Sequence, residues 1–263
     1  MGPHRGGLMP GPLFEQAAVA LKTALAAQLG CVPSALDRES LVVVDRPPDS
    51  REPHLALIAS TGLGSVVSVN DPRLGDWARE QPLEAHFRIF LPSFLEGMAA
   101  FACELGYAGV RSHSPSEGMV LAADLPPHPL PAGYRLIELP LAEQQRLRPG
   151  GEFENALAEP CESRKIAAMR VAFAVQAPDG TIAGVVGVWD QYPGIDEIGI
   201  DVVPPHRGLG LATALTMHAA RWVREHGRWP IYTYGIWNIR SMNNGLSAGF
   251  RPLWLLSTVY VPD

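Results

Sequence analysis

The sequence predicts an α+β protein, with a mixed, largely antiparallel sheet flanked by helices in its C-terminal half and a smaller α/β domain before it. Three observations carry this. After residue 133 the strand-like and helix-like periodicities follow the order β-α-α-β-β-β-α-β-α-β. Asp179-Gly180 separates two aliphatic runs, a two-residue hairpin signal that makes its neighbours antiparallel. The stretch LPPHPLPAG (Leu125 to Gly133) holds four prolines in nine residues and reads as a stiff extended connector. The domains are therefore placed at 1–125 and 133–263, with a proline-rich linker at 126–132.

Composition bounds the possibilities. With 263 residues, 47% hydrophobic and 18% charged, the chain has the make-up of a globular protein. No apolar run approaches the roughly 20 residues of a membrane span, and the start MGPHRGGLMPGPLFEQ lacks the apolar core of a secretion signal. Cys31, Cys103 and Cys161 are odd in number and widely spaced. That argues against a disulfide framework or zinc site and suits a reducing cytoplasm. A net charge of -6 with scattered basic residues disfavours a nucleic-acid partner.

In the N-terminal half, Phe14, Ala18, Leu21, Leu25 and Leu29 recur at helical spacing up to a stop at Gly30. Residues 41–45, 54–60 and 65–69 read as short strands. Ser93 and Glu96 form a capping-box pattern opening a second helix that ends at Gly106, and Gly118 to Ala123 is a final strand. No cluster of chemically active residues stands out, which suits a packing or lid role.

The C-terminal half starts with a strand over Tyr134 to Leu139. A polar helical stretch over 142–169 follows, broken at Pro149-Gly150-Gly151. Two strands flank the hairpin, and Asp196 to Val203 makes another, ended by Pro204-Pro205. Gly208 to His226 reads as a helix with Leu211, Leu215, His218, Ala219 and Trp222 as its buried stripe. Pro230 to Trp237 is a strand, NIRSMNNGLSAG a short helix, and Phe250 to Val261 a last strand. Trp222, Trp229 and Trp237 are expected in the core.

Arg207-Gly208-Leu209-Gly210 lies where a strand gives way to a helix, so it is either a plain tight turn or an anion site. A Walker loop fails, because Leu211-Ala212 follows Gly210 in place of Lys-Ser/Thr. A dinucleotide fingerprint fails, because Thr213 replaces the third glycine. The pattern Arg/Gln-x-x-Gly-x-Gly/Ala, a turn that wraps a coenzyme A pyrophosphate, is met at every position from Arg207 to Ala212. Glycines there let backbone approach the diphosphate, and first-turn amides and the helix dipole face its charge.

With that turn, and with Asn238-x-x-Ser241 followed by Gly249-Phe250, the sequence resembles the GNAT superfamily of acyl-CoA-dependent N-acetyltransferases over Gly133 to Asp263, in a branch with an extra N-terminal domain. A degenerate copy of the same fold is one reading of that extra domain, though no motif in it shows this. The resemblance implies acetyl-CoA (coenzyme A) as cosubstrate and a primary amine of a small molecule or peptide as acceptor, attacking directly in a ternary complex. It implies that Val202 and Val203 lend main-chain groups to the pantetheine arm. Arg207, Gly208, Leu209, Gly210, Leu211 and Ala212 would hold the pyrophosphate. Asn238 and Ser241 would contact pantetheine amides or the phosphate side, and the acetyl group would lie where strands 196–203 and 230–237 splay apart. A homodimer is compatible with this; a membrane or nucleic-acid partner is not expected.

Amino groups titrate near 10, so a base must take the amine proton. Glu197 is the first candidate, Asp196 the second and Asp201 the third. Alternation puts Glu197 and Asp201 on one face and Asp196 on the other. Solvated strand-edge charges are the competing explanation. Many GNAT enzymes carry a tyrosine seven residues after the asparagine as acid to the departing sulfur; here that residue is Gly245, preceded by Asn244 where leucine is usual. Tyr232 or Tyr234 are possible substitutes, or merely packed. The departure also keeps a non-catalytic acyl-CoA-binding module open as the alternative. His206 and His218 lack partners at metal-ligand spacing, so no metal is expected. Glu152, Glu154, Glu159 and Glu162 hint at a cationic acceptor, with solvated charge as the plainer explanation.

Overall fold

A computed structural model describes residues 11–48, 50, 53–82, 85–157 and 169–262. Before the linker come α1 (Pro12–Leu29), β1 (Ser40–Asp45), β2 (Ala56–Ser60), β3 (Gly64–Val69), α2 (Pro72–Glu80), α3 (Pro92–Glu104), β4 (Arg111–Ser112) and β5 (Ser116–Leu121). After it come β6 (Arg135–Glu138), α4 (Leu141–Leu147), β7 (Met169–Gln176), β8 (Ile182–Tyr192), β9 (Ile195–Val202), α5 (Leu211–Glu225), β10 (Trp229–Gly235), α6 (Ile239–Ser247) and β11 (Phe250–Tyr260). This is the expected α+β class, with helices flanking a mixed sheet. Only the β1/β3 and β9/β10 pairs are parallel among the described strand pairs.

The sheet is continuous, in the order β1-β3-β2-β11-β5-β10-β9-β8-β7-β6, with β4 pairing to β11. Segment 126–132 carries no helix or strand, yet hydrogen bonding crosses from one half of the chain to the other. Strand β5 precedes the linker but lies between β10 and β11, and β11 in turn bonds to β2. Helix α5 covers one face, where Leu211 and Leu215 pack with Val186, Ile198, Tyr232, Phe250 and Met119 of β5. Helix α1 covers the other, where Leu21 and Leu25 meet Val120, Ile231 and Trp254. Burying each such leucine is worth about 1.5–3 kcal/mol.

Most elements follow the sequence pattern, and the departures have local causes. The β7–β8 hairpin forms, with a loop of three residues in place of the expected two. The Ala177 amide bonds the Thr181 carbonyl at 2.8 Å, and Gly180 (φ +88°) closes the turn, its amide bonding the Ala177 carbonyl at 2.9 Å. Helix α2 escaped the periodicity reading because it is short and polar. Its start signal was nonetheless present: Asp71 caps it, accepting from the Arg73 amide at 3.0 Å, with Pro72 at the first helical position. The Ser93–Glu96 capping box does not form. Pro92 starts α3 one residue earlier, with Leu91 at the N-cap and no side-chain cap. The polar helix shrinks to α4, ended by the Arg148–Gly150 turn and followed by turns to 157; its remainder, with Glu159, Cys161 and Glu162, lies outside the described residues. Trp222 and Trp229 are partly buried, but Trp237 is 67% exposed, because it follows β10 on the connection into α6 rather than within the sheet.

Candidate active site

Strands β9 and β10 pair only through Trp229↔Ile195, Pro230↔Asp196 and Ile231↔Glu197. Beyond that point β9 stays bonded to β8 as far as Val202, and β10 to β5 as far as Gly235. Each strand is held on its outer edge and open on its inner one. A cavity of about 1090 Å³ fills the gap, bordered by β9, β10, the turn before α5, and α6. Residues 153–157 close in on one face because Gly199 permits it: a Cβ there would lie 1.9 Å from the Asn155 carbonyl oxygen.

The turn builds the second wall. Gly208 and Gly210 have φ of +80° and +78°, a region L side chains rarely adopt. Gly210 is the N-cap of α5 and offers no side-chain acceptor. The first intrahelical bond runs from the Ala214 amide to the Gly210 carbonyl at 3.0 Å. The amides of Leu211, Ala212 and Thr213 therefore have no carbonyl four residues back, and all three residues border the cavity. The Arg207 Nε donates to the Val202 carbonyl at 2.8 Å, which holds the guanidinium at the cavity mouth.

Helix α6 supplies the third wall. The Asn238 side chain caps it, its Oδ1 accepting from the Ser241 amide at 3.1 Å. The Ser241 hydroxyl lies 2.8 Å from the Tyr232 hydroxyl. Asn244, one turn on, donates to Thr216 Oγ1 at 2.9 Å and to the Tyr232 hydroxyl at 3.3 Å, and accepts from Thr213 Oγ1 at 3.1 Å.

The three carboxylates have separate environments. Glu197 is half-buried in the last pair before the strands part, where the Thr233 hydroxyl donates to it. Burial pushes its carboxyl up, with the Thr233 bond opposing. Asp196 is fully buried and takes Arg228 Nε at 2.7 Å, with Arg170 Nε 3.4 Å away. Burial pushes it up too, against the pull of Arg228. Asp201 accepts from the Asn155 amide (2.8 Å), Asn155 Nδ2 (2.7 Å) and the Ala156 amide (2.9 Å). It pins residues 155–156 against β9.

Residues 143–239 match the family described as Acetyltransferase (GNAT) family. The C-terminal half of the chain is a GNAT domain. Among solved structures, a GCN5-related N-acetyltransferase-like protein from Streptococcus suis is 12% identical over 94% of this chain and 99% of its own, with a TM-score of 0.49. A GCN5-related N-acetyltransferase from Kribbella flavida is 16% identical over 97% of both chains, with a TM-score of 0.46. A tandem GNAT protein from the clavulanic acid biosynthesis pathway is 18% identical over 64% of this chain, which spans 59% of that protein's length, with a TM-score of 0.41. A search of curated proteins finds no match.

In this GNAT domain the cavity brings together Val202, Arg207, Gly208, Gly210, Leu211, Ala212, Asn238, Ser241 and Asp201 from the sequence-derived set. It does not include Val203, whose amide bonds the Ala183 carbonyl at 3.0 Å, or Leu209, which is exposed. Asp196 and Glu197 also lie outside its lining; Glu197 sits beside it in the last β9–β10 pair and is bonded to Thr233, which does line it. Sequence reasoning passed over Thr213, Thr233 and Asn155, which have no motif of their own. It also passed over His128 of the linker: a Cβ on Gly210 would lie 2.4 Å from His128 Nε2. Its only signal was a lone histidine among prolines. The two histidines weighed in the sequence, His206 and His218, have protein partners. His206 Nδ1 is 2.7 Å from the Tyr134 hydroxyl, and His218 packs edge-on against Phe173. Among the described residues no group of three His, Cys, Asp or Glu side chains is arranged to hold a metal.

Proposed function

We propose that the protein is an acetyl-CoA-dependent N-acetyltransferase that moves an acetyl group to a primary amine of a small molecule or peptide, by direct attack within a ternary complex. One observation carries this reading. The open inner edges of β9 and β10 meet an uncapped, glycine-led helix start across a single cavity, whose lining includes Thr233, the hydrogen-bond partner of the Glu197 carboxyl. An extended amide-bearing arm fits the open edges, and a diphosphate fits the free amides of Leu211 to Thr213 with Arg207 beside them.

Acetyl-CoA, when bound, supplies an activated acyl group. The chain supplies position and proton handling. The backbone edge at Val202 would orient the acyl carbonyl, as amide donors do for developing oxyanions. Glu197 would take the amine proton, and burial suits it, since a carboxyl raised from its ordinary range is the better base. Asp196 and Asp201, ranked behind it, have oxygens already engaged by Arg228 and by residues 155–156. We place this activity in residues 133–263, with 1–125 as an adjoining domain that completes the sheet. We place the protein in the cytoplasm; among the described residues no helix is long and apolar enough to cross a membrane.

The test is release of free thiol from acetyl-CoA across a panel of amines. Acetyl-CoA should also raise the melting temperature, adding about 2.7 kcal/mol at 100 times its dissociation constant. Coenzyme A binding without thiol release on any amine would favour the binding-module reading that Gly245 keeps open. NADH or ATP stabilising the protein better than coenzyme A would overturn the coenzyme site itself.

A further inference from the structure

We propose that the Tyr232 hydroxyl, carried on β10 and not on α6, is the hydrogen-bond donor to the coenzyme sulfur in this GNAT domain; the proposal rests on the function argued above.

The packing at Gly245 is the first ground. Gly245 is buried, and a Cβ there would lie 2.7 Å from Met119 Sδ and 3.1 Å from Tyr232 Cδ1. A tyrosine at 245 would have no room, because the Tyr232 ring and a methionine from β5 hold that space. The Tyr232 ring is 1% exposed, and the residue borders the cavity beside Ser241 and Asn244.

Hydrogen-bond accounting is the second. A phenol has one proton to give and can accept twice. Tyr234 spends its proton on the Glu117 carboxylate. Tyr232 is surrounded differently. Asn244 is oriented by Thr213 and Thr216 so that its amide donates to the Tyr232 oxygen. The Ser241 and Tyr232 hydroxyls share one proton over 2.8 Å, and either can give it. We assign that proton to Ser241, so that the Tyr232 oxygen accepts two bonds and its own proton is left for the cavity. The two tyrosines are thus distinguished by their partners.

Energetics sets what Tyr232 does with that proton. Burial pushes its phenol above its ordinary value, with the Ser241 bond opposing. An ordinary thiol titrates near 8.5 and a phenol near 10. The phenol therefore keeps its proton and donates only a hydrogen bond. Glu197 takes the amine proton as the nitrogen–carbon bond forms. Tyr232 steadies the electron pair left on sulfur as the carbon–sulfur bond breaks, and solvent later protonates the thiolate. Tyr232 ends as it began.

The experiment titrates coenzyme A bound to the full chain, following thiolate absorbance, with acetyl-CoA affinity measured in parallel by calorimetry. In the parent protein the bound thiol should titrate below the ordinary 8.5 by about one unit or more, the tenfold effect of a charge-assisted hydrogen bond. Tyr232→Phe should return it to 8.5 or above and leave acetyl-CoA affinity unchanged. An equal thiol titration in parent and variant overturns the role of Tyr232 while leaving the coenzyme site intact. A parent thiol that titrates at or above 8.5 overturns it too, even if the variant does not fold. A parent that binds neither coenzyme A nor acetyl-CoA overturns the proposed function, and this role with it.

Discussion

The two edges of β10 have opposite fates. On one side Ile231 to Gly235 pair antiparallel with Val120 to Ser116 of β5 without interruption. On the other, pairing with β9 stops after Ile231 and a cavity begins. The closed edge is supplied by a strand from before the linker; the open edge exposes backbone groups that a ligand can satisfy. A strand with both edges free would be a poor scaffold and an aggregation hazard. Closing one edge with β5 lets the other stay open. The open edge that borders the proposed coenzyme site thus depends on a strand contributed from before the linker.

The sharpest way to break this contrast is to remove the closed edge. A fragment of residues 133–263 loses β5 from between β10 and β11 and exposes Tyr232, Phe250 and Leu215 to water. It should show no cooperative thermal unfolding by circular dichroism, whereas the full chain should. A folded fragment that still binds coenzyme A would mean that the GNAT domain closes this edge without help.

The open edge is tested next at its vertex. Glu197→Gln should lower turnover about 10²- to 10⁴-fold at neutral pH, the contribution of a positioned general base. Coenzyme affinity should not change. The loss should shrink as pH approaches the amine's value near 10, because more acceptor then arrives deprotonated. An equal loss at low and high pH in the rate profile would assign Glu197 to positioning.

At the far end of the same edge, Gly210→Val puts an L residue at φ +78° and a Cβ 2.4 Å from His128 Nε2. That strain, on the order of 1–3 kcal/mol, falls on the turn and not on the sheet. The variant should stay folded and lose the roughly 2.7 kcal/mol of stabilisation expected from saturating acetyl-CoA. Unchanged coenzyme affinity by calorimetry would show that the turn is only a turn.

The smallest effect sharpens the comparison through stability. Burial holds the folded Glu197 carboxyl above its ordinary range, so the folded chain binds that proton more tightly than the unfolded one. Its contribution is full below the ordinary value of about 4.3 and is lost as pH rises through the folded value. Glu197→Gln should therefore melt higher than the parent at pH 7, with the gap closing below about pH 4. A variant that melts lower at pH 7 would mean that the ionised carboxylate is a net stabiliser of the vertex.

Much of the site was legible because its signals are local. The turn was recognisable from Arg207, Gly208, Gly210 and Ala212, since positive φ at two glycines and a free helix start are properties of consecutive residues. Asn238 and Ser241 were legible for the same reason: they are one helix cap. Glu197 is a candidate because it lies on the strand expected to border the acetyl group, with alternation only grouping it with Asp201 and apart from Asp196. Nothing along the chain announced Thr233 as its partner. Gly245 read as a loss; its meaning changed once Met119 and the Tyr232 ring were seen to fill the space above it. Trp237 was misplaced because aromatic character alone does not say on which side of a strand's end a residue falls.

The sequence by itself determined the periodicities, the hairpin at Asp179-Gly180, the glycine-led start of α5 and the cap of α6. Each is decided by backbone sterics and hydrogen bonds within a few residues. Only the tertiary structure decided that β5 closes β10, that β9 and β10 part at Glu197, and which partners each of the two tyrosines meets. Strand pairing between residues about a hundred positions apart is set by which apolar faces must be buried together. A hydroxyl's role is likewise set by the neighbours that the folded chain brings to it, Asn244 and Ser241 in one case and Glu117 in the other.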